Sequence, residues 1–136
     1  MNISHHFTLE ELTASQTATR LGFKEQFEPS NVVVNNLTTL CRTLEKVREI
    51  WGGPLHISSG YRCPRLNKAI GGSATSSHME GEAADIDLGS REKNQQLYQK
   101  ILDVGIEFDQ LINEYNFSWV HISFRYKNRR QILKIV

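Results

Sequence analysis

The chain has 136 residues, of which 39% are hydrophobic and 23% charged, and its formal net charge is +1. This length predicts one domain over residues 1–136 and leaves too little chain for two. The mixed and nearly balanced charge excludes a basic nucleic-acid stripe and an acidic tail, and no apolar run approaches the roughly 20 residues that cross a bilayer.

The first half of the sequence predicts helices. Thr8-Leu9-Glu10-Glu11 has the capping-box pattern, so we expect a short helix from about residue 9. A polar stretch with Gly22 and Pro29 follows, in which no element is predicted. Ser30 is the expected N-cap of a long helix that ends at Gly52-Gly53 and carries an apolar stripe for covering one side of a sheet. The stripe consists of Val33, Leu37, Leu40, Leu44, Val47 and Trp51.

The second half predicts strands around two further helices. Residues 55–58 and 83–88 are strand candidates, residues 64–70 form a short helix that begins at a proline, and a helix capped by Ser90 ends at Gly105. The last third predicts strands at 108–115, 118–124 and 129–136, and their short connections favour antiparallel pairing in a meander. This order predicts an α+β fold, with an antiparallel sheet covered by helices on one side and a cleft on the other.

Two histidines and an aspartate stand out as metal ligands. His78 follows a loop of small residues, while Asp85 and His121 alternate with apolar neighbours on two strands and therefore face away from the core. Two imidazoles and one carboxylate are the kind of set that a catalytic zinc uses, with the fourth position open. Gly81 would let the chain bring His78 close to Asp85. Asp87 shares the face of Asp85 and is a second choice, as a ligand or as an orienting or capping residue.

Other candidate groups have plainer interpretations. The spacing of Cys41 and Cys63 matches no metal or redox motif, so we expect both to pack in the interior. No partner is evident for His5, His6 and His56. Since the N-terminus lacks the basic and apolar regions of a signal peptide, we expect a cytoplasmic protein unless another protein releases it. We also expect a monomer.

The motif Ser76-x-His78-x-x-Gly81-x-Ala83-x-Asp85, followed by Trp119-Val120-His121, resembles the zinc D-alanyl-D-alanine peptidase family. That family includes D,D-carboxypeptidases, vancomycin-resistance D,D-dipeptidases and L-alanyl-D-glutamate endopeptidases of phage lysins, and it shares its fold with the Hedgehog signalling domain. The segments Ser58–Asn67 and Phe7–Leu12 are similar to the same family. The resemblance covers nearly the whole chain and implies a small bacterial or phage peptidase with a Hedgehog/D,D-peptidase-like fold.

The resemblance also implies the site residues and the substrate. It places one zinc ion on His78, Asp85 and His121, and it implies peptidoglycan stem peptides or other D-amino-acid peptides as substrates. Arg62 matches the family's substrate arginine, whose donor fork suits a carboxylate or a polarised carbonyl. Ser76 and Trp119 are expected to contact the substrate or to support the cleft.

The general base is the point where this sequence departs from many relatives. They carry an acid three residues before the last histidine, where this chain has Ser118. Glu114, one short turn before the His121 strand, is the better candidate and resembles the Hedgehog-type arrangement; Glu80 and Glu82 are weaker ones. The sequence leaves a carboxypeptidase, an endopeptidase, a non-catalytic metal-stabilised binding module and a metal-free domain as alternatives.

Overall fold

A computed structural model describes residues 1–136 and contains five α-helices and five β-strands. The helices are α1 (Leu9–Thr13), α2 (Gln16–Leu21), α3 (Asn31–Trp51), α4 (Pro64–Ala69) and α5 (Arg91–Val104). The strands are β1 (Ile57–Ser59), β2 (Ala83–Ile86), β3 (Gln110–Glu114), β4 (Trp119–Ser123) and β5 (Gln131–Ile135). Short 3-10 helices cover Lys24–Phe27 and Ser77–Glu80.

The five strands form one sheet in the order β1-β2-β4-β3-β5. Helices α3 and α5 pack against each other, and α5 also contacts β4. The apolar positions of the central strands join those helices in one core of 23 buried residues, which confirms the predicted α+β fold. The opposite face of the sheet is left for a cleft. None of the helices combines the length and apolarity that a bilayer crossing requires.

The last strand departs from the predicted meander. β5 pairs with β3 in parallel, whereas all other strand pairs are antiparallel. Both edges of β4 are already occupied, by β2 and by β3, so the strand that follows β4 cannot pair with it and joins the free edge of β3 instead. The chain between β4 and β5 reverses direction as expected. It passes the first residue of β3, however, so β5 lies beside β3 and not beside β4.

The N-terminal third also differs in detail. The predicted helix at residue 9 is present as α1, capped by the Thr8 side chain, but α2 was not predicted. Ser15 caps the start of α2, and Gly22 ends it in the left-handed conformation. The start of α2 and the two residues before it line the cleft. The long helix α3 agrees with the prediction, from its Ser30 cap to left-handed Gly52.

Candidate active site

Three side chains with metal-binding atoms meet on the cleft side of the sheet. Asp85 on β2 lies opposite His121 on β4 in the register of these antiparallel strands. His78 lies on the 3-10 helix that precedes β2. The ligand atoms of all three residues lie within 4.8 Å of one another, and all three residues are buried. The structure therefore brings together the trio that the sequence singled out.

The spacing of these atoms suits a tetrahedral ion. Asp85 Oδ1 lies 3.0 Å from His121 Nδ1 and 3.3 Å from His78 Nε2. Ligands about 2.0–2.1 Å from a tetrahedral zinc stand roughly 3.3 Å from one another. The two measured separations are close to that value, so His78, Asp85 and His121 could hold one divalent ion and leave a fourth position open.

The backbone fixes the orientation of His78. Its Nδ1 donates to the Gly60 carbonyl oxygen at 2.7 Å, so Nε2 is left to face Asp85. This is the usual way in which a metal-binding histidine is held in one tautomer. Gly60 itself lies against α1, and a Cβ at this position would clash with the Leu12 carbonyl oxygen. Helix α1 therefore contacts the glycine whose carbonyl oxygen orients His78.

Gly81 fulfils the role expected of it. It ends the 3-10 helix of His78 with a φ of +73°, and a Cβ at this position would lie 2.9 Å from the Val33 carbonyl oxygen. Both the left-handed backbone and the close approach to α3 favour glycine. The tight turn carries the chain from His78 into β2, where Asp85 follows.

Asp85 is ionised in this setting. Burial by itself raises the pKa of this carboxyl, but the imidazoles of His78 and His121 outweigh burial and hold the pKa well below its ordinary value. A buried carboxylate requires a nearby cation or several donors. A divalent ion between the three side chains would meet that requirement.

Glu114 stands beside the trio at the end of β3. Its Oε2 lies 3.9 Å from His121 Nδ1 and accepts a hydrogen bond from Trp119 Nε1 at 2.7 Å. Glu114 and Trp119 are direct partners in the β3–β4 register. A general base must lie within hydrogen-bond reach of the proton that it removes. A carboxylate this close to a ligand atom is within reach of a group in the open fourth position.

Arg62 adds a positive charge to the wall of the same cleft. Its Nη2 donates to Ser76 Oγ at 3.1 Å, while its Nε is buried without a hydrogen-bond partner. Burial lowers the pKa of Arg62, and the charges of Asp85 and Glu114 oppose that effect. A guanidinium stays protonated in proteins, so Arg62 brings an unused donor to the site.

The cleft that contains these groups has a volume of about 1180 Å³. Its floor is the sheet, and its walls include residues 14–17 and residues 71–73. Comparison with protein-family models matches residues 5–123 to the family described as peptidase M15. The chain belongs to the peptidase M15 family. No curated protein matches the chain in the corresponding comparison.

Membership of the M15 family points to a metallopeptidase and implies peptide substrates. It also confirms the resemblance to the zinc D-alanyl-D-alanine peptidases drawn from the sequence. The buried cluster of His78, Asp85 and His121 is the possible metal site of this family member.

In this M15 family member the β3–β4 turn has an unusual backbone. Tyr115, Asn116 and Phe117 have φ values of 51°, 55° and 57°. Each left-handed residue other than glycine costs about 1–2 kcal/mol, so such a run persists only where its surroundings enforce it. Glu114 and Trp119 directly flank this turn, which therefore bears on the position of the candidate base.

Asn94 of α5 holds this turn by hydrogen bonds to two of its carbonyl oxygens. Its Nδ2 lies 2.9 Å and 3.2 Å from the carbonyl oxygens of Phe117 and Ser118, and 3.1 Å from Asp87 Oδ1. Its Oδ1 accepts from the Leu88 backbone N–H at 2.8 Å. One buried amide thus connects α5, the chain after Asp85 and the turn after Glu114. The sequence shows Asn94 only as a polar residue in an otherwise ordinary helix.

The remaining candidates fall outside the cluster. Ser118 lies in the turn, and its hydroxyl donates to the Tyr115 carbonyl oxygen. Glu80 and Glu82, the weaker candidates for the base, do not line the cleft. Asp87 lies beyond β2 and accepts hydrogen bonds from the Gly89 backbone and from the Asn94 side chain, whereas Ser90 is the residue that caps α5.

Two buried side chains show structural roles near the site. Cys63 is unpaired, and its Sγ accepts from the Leu66 backbone at the start of α4. Gln26 donates to the carbonyl oxygens of Thr13 and Tyr61 and accepts from the Cys63 N–H. Gln26 thereby fixes the segment that carries Arg62. Its position in a polar, unassigned stretch gave no sign of this.

Proposed function

We propose that this chain is a zinc-dependent peptidase that hydrolyses peptide bonds involving D-amino acids in bacterial peptidoglycan. The observation that carries the proposal is the position of Glu114, whose carboxylate lies 3.9 Å from a candidate metal ligand. A metal site that only stabilises a fold needs no carboxylate beside an open coordination position. M15 membership supports peptide substrates, and the sequence resemblance supports D-amino-acid peptides.

In this proposal His78, Asp85 and His121 hold the ion. Zinc bound there would supply an activated water and polarise the scissile carbonyl. Glu114 accepts the proton from the attacking water and delivers it to the leaving amine. The hydrogen bond from Trp119 occupies one side of Oε2 and fixes the carboxylate, while Oε1 makes no hydrogen bond within the protein.

Arg62 and Ser76 have linked roles in the proposal. Arg62 offers donors to a carboxylate or carbonyl oxygen of the substrate. Ser76 Oγ accepts from both Arg62 Nη2 and the His78 backbone N–H. Ser76 therefore positions the arginine relative to the metal ligand, and Trp119 forms part of the cleft wall.

The proposal covers both an endopeptidase and a carboxypeptidase, which need clefts of different shape. Lining residues lie on both sides of His121 along the strands, with Glu114 and Tyr115 towards one end and Gln110 and Arg125 towards the other. A carboxypeptidase needs one closed end, whereas an open groove accommodates chain on both sides of the cleaved bond. The cytoplasmic location and the monomeric state stay predictions.

Digestion of purified peptidoglycan, with mass analysis of the products, tests the proposal. Zinc-loaded protein should release fragments cut at a bond next to a D-residue, and chelator-treated protein should release none. The positions of the new termini distinguish an internal cut from removal of a terminal residue. Stoichiometric zinc without any turnover on cross-linked or linear stem peptides would instead favour the non-catalytic binding module.

A further inference from the structure

The floor of the cleft continues beyond His121 along β4. Side chains alternate between the two faces of a strand, so Ser123 and Arg125 follow His121 on the cleft side. Backbone pairing extends past the end of β4, because the Phe124 N–H donates to the Glu82 carbonyl oxygen at 2.9 Å. Arg125 accordingly lines the same cleft as the metal trio.

A neighbouring arginine is committed to an internal partner. Arg129 Nε and Nη2 each lie 2.9 Å from a different carboxylate oxygen of Asp109, and the Arg129 backbone N–H donates to Oδ1 as well. These hydrogen bonds lower the pKa of Asp109. Arg129 thus makes every hydrogen bond to the buried Asp109 carboxylate, at the point where the chain crosses from β4 to β5.

Arg125 forms only a long ion pair with the same carboxylate. Its Nη1 lies 3.8 Å from Asp109 Oδ2, which is beyond hydrogen-bond distance, and its guanidinium donates no hydrogen bond in the structure. Burial raises the pKa of Glu82, and the nearby charge of Arg125 opposes that effect without a hydrogen bond between the two side chains. The backbone of Arg125 is held in place, because its N–H donates to Asn128 Oδ1 at 3.0 Å.

The charges of the cleft favour an anionic ligand. Three arginines balance three carboxylates along its surface: Arg62, Arg125, Arg129, Asp85, Asp109 and Glu114. A divalent ion on the trio therefore leaves the lining with an excess of positive charge. An excess of one charge in a cleft raises the local concentration of oppositely charged ligands.

We propose that Arg125 forms a second subsite in the cleft, one that binds a carboxylate of the peptide substrate away from the cleaved bond. The proposal rests on the proposed peptidase function for the identity of the ligand as a peptide. A guanidinium that donates no hydrogen bond within the protein still offers the two parallel donors that match a carboxylate. Acidic peptides, including those that contain D-glutamate, supply such a group.

The position of the subsite predicts where that carboxylate lies. Arg125 follows His121 by four residues, or about 13 Å along extended chain. A peptide that lies extended on the cleft floor covers this distance with about four residues, and the long arginine side chain shortens it. We expect the carboxylate roughly two to four residues from the scissile bond.

Equilibrium binding by calorimetry tests the subsite without relying on turnover. The protein is the zinc-loaded Glu114→Gln variant, and the ligands are stem-peptide pairs that differ only in a carboxylate or a carboxamide. The carboxylate is moved one residue at a time over four positions on either side of the bond. Arg125→Gln is compared with Lys127→Gln, because Lys127 lies exposed in the same loop, carries the same charge and does not line the cleft.

At one position the parent and the Lys127→Gln protein should bind the acid about tenfold or more tightly than the amide, as for a charged hydrogen bond. The Arg125→Gln protein should bind both peptides equally weakly. An acid preference that survives Arg125→Gln would overturn the subsite, and so would an equal loss in Lys127→Gln or an absence of binding by every peptide.

The proposed subsite and the proposed peptidase function can be refuted independently of each other. Cleavage of the same peptide pairs is measured with Glu114 intact. An acid preference that depends on Arg125, without any cleavage, would leave the subsite standing and refute the hydrolase. Cleavage of acid and amide peptides with equal kcat/KM, unchanged by Arg125→Gln, would refute the subsite and keep the hydrolase.

Discussion

The Trp119 indole donates a hydrogen bond of 2.7 Å to Glu114 Oε2, across a directly paired position of β3 and β4. This contact fixes the carboxylate beside His121 and leaves its other oxygen free. The same two residues flank a turn of three left-handed residues, which Asn94 holds from α5. The position of the candidate base therefore depends on a neighbouring side chain and on the backbone around it.

Replacement of the candidate base should abolish hydrolysis and spare the metal. Glu114→Gln keeps the shape of the side chain and still accepts the Trp119 hydrogen bond, but it cannot take a proton. We expect kcat to fall by about 10²–10⁴-fold, which is the usual contribution of a general base. Zinc content should stay at one ion per chain. Glu80→Gln is the matched control because Glu80 does not line the cleft; an active Glu114→Gln protein would remove Glu114 from the mechanism.

Removal of the indole donor should lower activity more modestly. Trp119→Phe retains an aromatic ring beside Tyr115, whose centroid lies 5.2 Å from that of Trp119, but it loses the N–H that fixes Glu114. We expect kcat to fall about tenfold, in line with the loss of one hydrogen bond to a charged group. Trp51→Phe on α3 serves as the control, and equal kcat values for the two variants would contradict the prediction.

Metal removal should destabilise the protein. The buried carboxylate of Asp85 would lose its divalent partner, and binding at a hundredfold excess over Kd contributes about 2.7 kcal/mol. For a chain of this size we expect zinc to raise Tm by several degrees over the chelator-treated protein. His121→Ala should bind less zinc and lose this response. A Tm that is insensitive to zinc and chelator in the unmodified chain would favour the metal-free alternative.

Stability at acid pH should depend on Glu45. Burial raises the pKa of this carboxyl, but hydrogen bonds from the Ser4 hydroxyl and from the backbone and ring of His6 outweigh burial and hold the pKa at about 2. Because the folded pKa lies below the ordinary 4.5, its contribution is fully present above pH 4.5 and is lost as pH falls towards 2.

We expect Glu45→Gln to lower the free energy of unfolding by about 1–2 kcal/mol at pH 7, with the difference from the unmodified chain shrinking below pH 4. Urea unfolding at pH 7, 5 and 3 measures this trend. Glu49→Gln, on the same helix, provides a control. A difference that stays constant across these pH values would show that the ionised form of Glu45 does not stabilise the fold.

Loss of the Asn94 amide should affect both stability and catalysis. Asn94→Ala leaves the Leu88 N–H and the two turn carbonyl oxygens without this partner in a buried region. We expect unfolding to become easier by about 2–3 kcal/mol, and kcat to fall because the strained turn beside Glu114 can relax. Asn35→Ala on the exposed side of α3 is the comparison in urea unfolding and peptide hydrolysis. Unchanged kcat in Asn94→Ala would restrict its role to stability.

Much of the site could be predicted from local sequence. Strand alternation and a short loop are enough to place Asp85 and His121 on one face with His78 nearby, and a hairpin places Glu114 close to them. The α+β fold followed from apolar periodicity in α3 and from short strands.

What could not be predicted depends on distant parts of the chain. The parallel pairing of β5 follows from the edges that remain free once β2 and β3 flank β4, which no local pattern reveals. The links from Gln26 to Tyr61 and from Asn94 to Phe117 join separate segments through single amides. His6, which offered no partner in sequence, binds Glu45 from 39 residues away. The six residues of α2 are too few for a clear period.

One strand alignment decides more than the shape of the sheet. Asp85 and His121 are partners across β2 and β4, while their neighbours Ile86 and Val120 are partners in the core. A slip of one residue would turn His121 towards the interior and Val120 towards solvent. A molecule with the slipped β2–β4 register would lose both its apolar core contacts and the geometry of its metal ligands. The register that buries Ile86 and Val120 is therefore the same register that brings Asp85 and His121 together. Any chain that folds with its core intact also has its ligands in place.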